Sequence, residues 1–368
     1  MLSETDVFVA GGGPAGLAAA LASRQRGLEV TVVDSCSPPI DKPCGEGLMP
    51  DGVAALAGLG VSIPLSVAER FHGIRFVNSG LQAEARFPHG SALGVRRTDL
   101  HRIMIEQAER AGVRFLWRSV VTGLHPDGAL VRGELVRARW VIGADGGESC
   151  VRRWSGLDVH RQKEQRFAFR RHYRLAPWSE FMELHWGKQC QLYLTPVGEH
   201  ELCVAVLSRN PDLRLEEALR EFPELSERLR GAEYASTERG AVSVTRRLAR
   251  VCSGGLALIG DASGGVDAIT GEGLCLAFKQ AEFLAGCLAS GGLAGYETGH
   301  RALARRPMSM ARALLLLGSH DGLRRRVMRV FMNEPALFAR LLATHVGAAS
   351  AKDSATNGLA LAWQLLTA

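Results

Sequence analysis

Residues 6–35 read DVFVAGGGPAGLAAALASRQRGLEVTVVDS, and this stretch decides the fold. The apolar run over 6–10 is typical of a buried parallel strand. An alanine-rich helix is predicted to continue to about Arg26, and a second apolar strand over 29–33 ends at Asp34. A strand, a glycine turn, a helix, a strand and an acid in this order predict a dinucleotide-binding βαβ unit.

The three glycines of the turn follow the spacing G-x-G-x-x-G and have separate physical tasks. Gly11 allows the tight turn, Gly13 lets a pyrophosphate approach the backbone, and Gly16 lets the helix pack on the strand. The helix N-terminus then offers unpaired N–H groups to the phosphates. Asp34 would accept hydrogen bonds from the ribose hydroxyls. A glycine-rich turn of another α/β protein is the alternative.

Composition places the chain among ordinary globular proteins. Its 368 residues suffice for one large domain or two joined ones, with 46% hydrophobic residues, 22% charged residues and a net charge of +6. Since the sequence has no clustered basic motif, we expect no nucleic-acid partner. The eight cysteines include no C-x-x-C pair, so we predict no metal site and expect reduced thiols in a cytoplasmic protein. No apolar stretch is long enough to predict a transmembrane helix.

Two further turns combine glycine with an acid directly after an apolar run. Residues 140–153 read WVIGADGGESCVRR, and residues 256–274 read LALIGDASGGVDAITGEGL. With three such motifs in this order, the chain resembles the flavoprotein family of aromatic hydroxylases and geranylgeranyl reductases, which has the p-hydroxybenzoate hydroxylase-like fold. The resemblance covers nearly the whole chain and implies FAD as the cofactor. Because the chain has one dinucleotide fingerprint and no second one, NAD(P)H would bind as a transient reductant.

The resemblance also implies which residues hold FAD. The first motif would hold the ADP half, Arg97 would contact the flavin nucleotide, and Asp261 would hold the ribityl region. Backbone N–H groups over 271–274 would meet the pyrimidine edge of the flavin, whose reduced form is an anion. Each acid could instead serve as a turn or helix-cap residue. The predicted cofactor-binding residues are Gly11, Gly13, Pro14, Ala15, Gly16, Asp34, Ser35, Cys44, Gly45, Arg97, Asp145, Gly146, Gly260, Asp261, Gly271, Glu272, Gly273 and Leu274.

The loop over 41–52 reads DKPCGEGLMPDG, and its Cys-Gly-Glu-Gly version is typical of the reductase branch of the resembled family. Cys44 would lie against the flavin or the substrate, or it is an inert small residue in a turn. Asp267 would act as an acid or base if it reached the substrate, and otherwise it is a solvated loop acid. The predicted catalytic residues are Asp267, Cys44, His172 and Tyr193.

The middle of the chain predicts a substrate-binding sheet. Residues 166–208 form short alternating or apolar strands that indicate an antiparallel sheet, on which Arg170, His172 and Arg174 share one face. The predicted fold class is α/β, with a discontinuous Rossmann-like FAD-binding domain, an inserted antiparallel substrate domain and C-terminal helices. The predicted boundaries are 1–75, 95–160 and 250–298 for the FAD-binding domain, 76–94 and 161–249 for the substrate domain, and 299–368 for the helical region.

The C-terminal region mixes Leu, Met and Phe with Arg at helical spacing. Helices that close a substrate pocket have this pattern, and so do helices that lie on a membrane surface. Both interpretations suit a lipophilic substrate. Peripheral membrane contact therefore stays open, as does the oligomeric state.

The first functional hypothesis is a single-component, NAD(P)H-dependent monooxygenase that uses O2 to hydroxylate a lipophilic aromatic or quinone-like ring. The alternative is a flavin-dependent reductase of isoprenoid or enone double bonds, with Cys44 or Asp267 near the proton donor. A flavin-binding redox sensor without turnover is the second alternative. The third motif has Ala268 where the resembled family usually has proline, and Gly264 where its hydroxylases tend to have histidine. The pattern of Gly264, Thr270, Gly271 and Gly273 is closer to the reductase branch.

Overall fold

Two large β-sheets and one small one organise this α/β protein, whose computed structural model describes residues 4–367, with side chains except at 161–163, 351, 366 and 367. The strands are β1 (Glu4–Ala10), β2 (Val30–Val33), β3 (Gly47–Leu48), β4 (Ala68–Phe71), β5 (Gly73–Asn78), β6 (Leu81–Arg86), β7 (Ala92–Val95), β8 (Arg114–Leu116), β9 (Val121–His125), β10 (Gly128–Val131), β11 (Glu134–Gly143), β12 (His160–Arg174), β13 (Met182–Trp186), β14 (Cys190–Gly198), β15 (Glu201–Ser208), β16 (Glu233–Tyr234), β17 (Arg239–Leu248), β18 (Cys252–Ser253) and β19 (Leu256–Leu258). The helices are α1 (Pro14–Arg24), α2 (Pro50–Gly58), α3 (Arg97–Arg110), α4 (Cys150–Trp154), α5 (Leu215–Leu219), α6 (Pro223–Leu229), α7 (Gly273–Ala289), α8 (Tyr296–Ser319), α9 (Asp321–Asn333), α10 (Pro335–His345) and α11 (Ala351–Thr367), with 3₁₀ turns at Leu65–Val67, Gly260–Ser263 and Ala268–Thr270.

The first sheet has a parallel core in the order β19-β11-β1-β2-β8, with β1 at its centre. Val9 of β1 pairs with Ile142 of β11 on one side and with Val32 of β2 on the other. Helix α1 packs against α7. The carboxyl ends of β1, β2, β11 and β19 meet at one edge of the sheet. All three glycine–acid turns follow these strands, so the fold gathers them where open α/β sheets bind their ligands.

The second sheet has the order β16-β12-β15-β14-β13-β5-β6, and β17 pairs with β12. Its pairings are antiparallel except that β13 runs parallel to β5. One face packs against α5 and α6 through Tyr173 and Leu192, among others. The opposite face packs against α8–α10 in a second apolar cluster that includes Trp186, Tyr193 and Phe338. The small sheet, in the order β3-β7-β4, follows the loop over 41–46.

Most of the elements predicted from local pattern are confirmed. The first strand begins at Glu4, and the first helix ends at Arg24 rather than near Arg26 because the chain turns at Gly27, whose φ is +80°. The predicted antiparallel sheet and the helical C-terminal region are also present. The parallel pairing of β13 with β5 was not predicted, because it joins segments about a hundred residues apart in sequence. Within residues 4–367, no helix combines the length and apolarity that crossing a bilayer requires.

Candidate cofactor and substrate site

The first glycine turn has the close approaches expected of a dinucleotide site. A methyl group at Gly16 would lie 1.9 Å from the carbonyl oxygen of Gly11, and one at Gly11 would lie 2.4 Å from the carbonyl oxygen of Ala144. Gly13 differs, because a methyl group there would meet only a terminal nitrogen of Arg97, at 3.9 Å. Gly11 and Gly16 therefore allow internal packing. Gly13 instead leaves free space at the N-terminus of α1, where Pro14 is the first helical residue.

Asp34 lies at the end of β2 and closes the turn from the other side. Its Oδ2 accepts a hydrogen bond from the backbone N–H of Gly12 at 2.7 Å, and its Oδ1 accepts one from Cys36 at 2.8 Å. Ser35 is exposed beside it. Because a carboxylate can accept about four hydrogen bonds, Asp34 keeps acceptor capacity for ribose hydroxyls.

A buried histidine supports the turn and was not predicted from the sequence. His101 Nδ1 accepts a hydrogen bond from the Ile40 N–H at 3.1 Å, so His101 Nε2 donates to the carbonyl oxygen of Gly12 at 2.7 Å. Burial lowers the pKa of His101 below its ordinary value, which keeps the imidazole neutral in this role. The only sequence signal was a lone histidine on the buried face of a helix.

Arg97 is a cation without a partner. It is the first residue of α3, and within residues 4–367 its guanidinium makes no ion pair and no hydrogen bond, while its Nε is buried. The same side chain approaches the open backbone at Gly13. An unpaired cation and a helix N-terminus facing the same space suit a pyrophosphate.

Asp145 and Gly146 form the turn after β11, but the carboxylate of Asp145 points into α4. It accepts hydrogen bonds from the backbone N–H of Cys150 at 2.7 Å and of Val151 at 3.1 Å, and from the Ser149 hydroxyl. The Asp145 side chain therefore caps helix α4, which was the alternative to binding the cofactor. Gly146 adopts φ +84°, a conformation that favours glycine.

Gly260 and Asp261 follow β19, and Asp261 is exposed with no side-chain hydrogen bond in the described part of the chain. Gly260 has φ +58°, and a methyl group there would lie 2.7 Å from the Cβ of Ala15. Gln280 supports this turn from α7, because its Oε1 accepts from the Gly260 N–H at 3.0 Å. Asp261 thus offers a free carboxylate at the same edge as the first turn.

His300 completes the support of this turn from α8. Its Nε2 lies 3.0 Å from Gln280 Nε2 and 2.8 Å from the Ser263 hydroxyl oxygen. Since Gln280 Oε1 is the acceptor for Gly260, Gln280 Nε2 donates to His300. Burial lowers the pKa of His300 to about 4. The imidazole is therefore a neutral acceptor, and sequence analysis did not identify it.

Glu46 is the structural centre of the loop over 41–46. It adopts φ +58°, which is unusual for a residue other than glycine, and its side chain is buried. Its Oε1 accepts from the Arg97 N–H at 2.9 Å, and its Oε2 lies 2.6 Å from His172 Nε2. Arg170 lies 3.6 Å from the same carboxylate and 2.6 Å from Asp41.

The hydrogen-bond partners of His172 indicate which ring nitrogen donates and which accepts. Its Nδ1 lies 2.8 Å from the Ser236 hydroxyl oxygen and 3.2 Å from a nitrogen of Arg96 and from one of Arg170, and guanidinium groups can only donate. His172 Nδ1 is therefore an acceptor, and Nε2 carries the proton that is donated to Glu46. Glu46, His172 and Cys203 offer three possible metal-ligand atoms within 4.8 Å of one another. The two arginines make that position unfavourable for a cation.

Cys44 is a half-buried thiol on the same loop. Its sulfur accepts a weak hydrogen bond from the Glu46 N–H at 3.4 Å. Burial raises the pKa of the thiol, and the charges of Arg97 and Arg170 oppose this effect only in part. The thiol is therefore protonated and not a reactive thiolate. A methyl group at the next residue, Gly45, would meet no other atom within 4 Å, so free space lies beside it.

Asp267 is not a solvated loop acid, and that interpretation is wrong. Its side chain is 2% exposed, pairs with Arg166 at 3.2 Å and accepts from the Ile269 N–H at 2.9 Å. Tyr193 donates from its hydroxyl to the carbonyl oxygen of Ile269 at 2.7 Å, and burial raises the pKa of the phenol. Both predicted catalytic residues hold the segment that precedes α7.

Glu272, Gly273 and Leu274 begin α7, and Gly271 precedes them with φ +66°. The buried Glu272 side chain pairs with Arg306 at 3.0 Å, and its Oε2 lies 3.4 Å from His345 Nδ1. Burial raises its pKa. A methyl group at Gly273 would meet no atom within 4 Å, which leaves the backbone there accessible.

The residues present fit FAD. Free space lies against the backbone of Gly13, Gly45 and Gly273, where side chains are absent. Arg97 supplies a positive charge and Asp261 a carboxylate, and neither is paired with another of the described residues. Phosphates, hydroxyls and a flat ring are the groups that such donors, acceptors and open backbone would bind.

Comparisons with known proteins agree with this fit. Residues 4–292 match a protein family described as "FAD binding domain". The chain is 31% identical over 348 residues to a menaquinone reductase of Mycolicibacterium smegmatis, which covers 86% of this chain and 85% of that protein. It is 36% identical over 182 residues to a 6-methylpretetramide 4-monooxygenase of Streptomyces rimosus, or 43% of this chain and 42% of that protein. A solved flavoprotein/dehydrogenase from Cytophaga hutchinsonii has the same fold, with a TM-score of 0.80 at 20% identity and 93% of each chain covered.

Proposed function

We propose that this chain, which belongs to the FAD binding domain family and is an FAD-dependent oxidoreductase, saturates a carbon–carbon double bond in a lipophilic isoprenoid or quinone-like molecule. The match to a menaquinone reductase spans most of both chains, so it includes the second sheet and not only the dinucleotide fold. The monooxygenase match spans less than half of each chain. The substrate-covering part therefore favours the reductase.

The proposed FAD site combines the three turns at the carboxyl edge of the first sheet. The first turn and the N-terminus of α1 would hold the pyrophosphate together with Arg97. Asp34 would accept from the ribose, and Asp261 from the ribityl hydroxyls. Gly45 and Gly273 would leave room for the flavin. We also propose the division into a discontinuous FAD-binding part, a substrate-binding part around the second sheet, and the C-terminal helices.

The observation that carries the reductase proposal is the protonated Cys44 thiol beside open backbone. Saturating a double bond needs a hydride for one carbon and a proton for the other. Asp267, the other candidate donor, is buried in an ion pair with Arg166. Tyr193 is committed to a backbone carbonyl. Cys44 alone among the four predicted catalytic residues combines a retained proton with free space next to it.

When bound and reduced by NAD(P)H, FAD supplies the hydride. The Cys44 S–H bond then breaks, and its proton goes to the neighbouring substrate carbon, which leaves a thiolate. That thiolate keeps the Glu46 N–H as a donor and is stabilised by the charges of Arg97 and Arg170. It regains its proton from water. His172 and Glu46 hold the loop in place, because their hydrogen bond connects it to the second sheet.

A second candidate function is hydroxylation of an aromatic ring with O2, favoured by the 36% identity to the Streptomyces rimosus monooxygenase. A redox sensor without turnover has no supporting observation of its own. NAD(P)H as the reductant and peripheral contact with a membrane that supplies the lipophilic substrate remain part of the proposal.

The test is product analysis by mass spectrometry. The FAD-loaded protein is incubated with NAD(P)H and either a menaquinone or a geranylgeranyl lipid, with and without air. The products are re-oxidised before analysis, so that any quinol returns to the quinone. A product that then keeps two additional hydrogen atoms in its isoprenoid chain without air supports the reductase, and one that gains an oxygen atom only in air supports the monooxygenase.

We predict that Cys44→Ala slows product formation by roughly 100-fold, the contribution typical of a general acid, while FAD reduction by NAD(P)H keeps its rate. Cys287→Ala removes a half-buried thiol from α7 and is the matched control. Full activity of Cys44→Ala would exclude the thiol as the proton donor.

A further inference from the structure

The net charge of this protein lies in its C-terminal helices. Residues 296–368 hold ten of the 44 Lys and Arg residues and four of the 38 Asp and Glu residues, which gives +6. The remaining 34 basic and 34 acidic residues, all within 1–295, cancel. The overall charge of +6 is therefore a property of α8–α11.

Much of this positive charge is exposed and not neutralised by the protein. Arg301, Arg306, Arg324 and Arg325 have carboxylate partners. Six further bases of α8–α11 are exposed and make no ion pair within residues 4–367. They are Arg305, Arg312, Arg326, Arg329, Arg340 and Lys352. Unpaired exposed bases concentrated in one region attract an anionic surface.

Large apolar side chains are exposed on the same helices. Leu316 of α8 is 51% exposed, Met332 of α9 is 46% exposed, and Leu359 and Trp363 of α11 are 72% and 66% exposed. Leu316 follows Arg305 and Arg312 at helical spacings of eleven and four residues. Trp363 and Leu359 follow Lys352 at spacings of eleven and seven. Each outer face therefore carries bases and a large apolar side chain together.

The inner faces of these helices are already used. Val327, Phe331 and Phe338 are buried in the apolar cluster against the second sheet. Packing thus explains the apolar residues that face inward, whereas Leu359 and Trp363 lie mostly in contact with solvent. An interfacial helix shows this combination of exposed bases with exposed Leu, Met and Trp.

We propose that the outer faces of α8, α9 and α11 dock on a bilayer that carries anionic lipid headgroups. The guanidinium groups would bind headgroup phosphates, and the apolar side chains would enter the headgroup region. A second copy of the chain is disfavoured as the occupant, because it would bring +6 against +6. The functional reason for the docking rests on the proposed function, since a lipophilic substrate partitions into a bilayer. The docking itself is inferred only from the net charge of the helices and the exposure of their side chains.

The experiment is vesicle co-sedimentation of the FAD-loaded full chain without substrate. We expect binding to phosphatidylcholine vesicles that contain phosphatidylglycerol, little binding to pure phosphatidylcholine, and a loss of affinity in about 1 M salt, where charges are screened within ~3 Å. The double variant Arg326→Gln/Arg329→Gln should weaken binding to anionic vesicles by roughly 30-fold. Leu359→Ser/Trp363→Ser should abolish the binding that persists in salt.

The matched control is Arg209→Gln/Arg220→Gln, which removes the same charge from two exposed positions outside the C-terminal helices. An equal loss of binding in this control would overturn the assignment to α8–α11. Equal binding to neutral vesicles, or no vesicle binding together with dimers in sedimentation velocity, would overturn the anionic bilayer as the partner. Turnover is measured separately on detergent-dispersed substrate. A protein that binds vesicles but makes no product would contradict the proposed reaction and leave the docking surface standing.

Discussion

Cys44 and Asp267 are both acids predicted to serve the same site, and their surroundings give them different roles. The carboxylate of Asp267 has a guanidinium at 3.2 Å and a backbone N–H at 2.9 Å, so its Oδ1 is engaged by two structural partners. Among the described residues, Cys44 has one weak donor, and burial raises the pKa of its thiol. Cys44 is therefore the residue that keeps a proton to donate, whereas Asp267 is engaged by structural partners.

Asp267→Asn tests this assignment. The amide can still accept from Ile269, but Arg166 loses its buried carboxylate and keeps only Gln191 and a backbone carbonyl. We expect the free energy of unfolding of the apoprotein to fall by about 3 kcal/mol, as for a broken buried ion pair. Urea denaturation measures it, with the exposed Asp212→Asn as the control. A variant that is as stable as the parent but turns over slowly would return Asp267 to the list of catalytic acids.

Arg97→Gln tests the proposed pyrophosphate site. Because the Arg97 guanidinium makes no ion pair within residues 4–367, its loss should leave the apoprotein about as stable as before. FAD affinity should fall by roughly 30-fold, since a charge-assisted hydrogen bond contributes about 2 kcal/mol. Fluorescence titration of apoprotein with FAD measures the dissociation constant. Arg110→Gln, at the other end of α3, is the control. Unchanged affinity in Arg97→Gln would place the phosphates elsewhere.

The sequence predicted those strands, turns and helices that depend on local residue pattern. The strand, glycine turn and helix over 4–24 follow from apolar runs and from glycine spacing, so they were predictable. The partners of Glu46 were not, because His172 lies 126 residues away and is brought close only by the packing of one sheet on a loop. Arg166 lies 101 residues from Asp267 for the same reason. The sequence could identify candidate site residues, but the partners that decide their roles come together only in the folded chain.

The 3₁₀ turn Gly260–Ser263 depends on the neutral form of His300, which predicts a pH dependence of stability. Burial lowers the pKa of His300 from about 6.5 to about 4, so the unfolded chain binds the proton more readily. This contribution is complete above pH 6.5 and is lost as the pH falls toward 4. At pH 5 we expect a loss of about 2 kcal/mol relative to pH 7.

The measurement is urea denaturation at pH 7 and pH 5. His300→Gln should remove this part of the pH dependence, whereas His200→Gln, at an exposed position, should retain it. The same slope in all three proteins would assign the acid sensitivity to other groups.

For the whole molecule, the loop over 41–46 connects the two large sheets. Asp41 and Glu46 follow the first sheet, and Arg170 and His172 belong to β12 of the second. The same carboxylate of Glu46 also accepts from the N-terminus of α3, beside the proposed pyrophosphate site. We therefore expect the sheets to unfold together and FAD binding to stabilise both.

Glu46→Gln tests this connection, because an amide cannot replace both acceptor oxygens. If its oxygen accepts from the Arg97 N–H, its NH₂ group faces the Nε2–H of His172, and two donors meet. If the amide is rotated by 180°, its NH₂ group faces the Arg97 N–H instead, and two donors again meet. A change of tautomer would let the Nδ1–H of His172 donate to the Ser236 hydroxyl oxygen, 2.8 Å away, but Arg96 and Arg170 would then lose Nδ1 as an acceptor. One buried donor remains unsatisfied in every arrangement, which costs about 2 kcal/mol of folding free energy.

We expect this loss of stability for Glu46→Gln in unfolding followed by both circular dichroism and tryptophan fluorescence, and a smaller rise in melting temperature on adding FAD. Glu84→Gln, which breaks an exposed ion pair with Arg75, should change stability by less than about 1 kcal/mol. A Glu46→Gln variant that melts and responds to FAD like the parent would show that the sheets are coupled through other contacts.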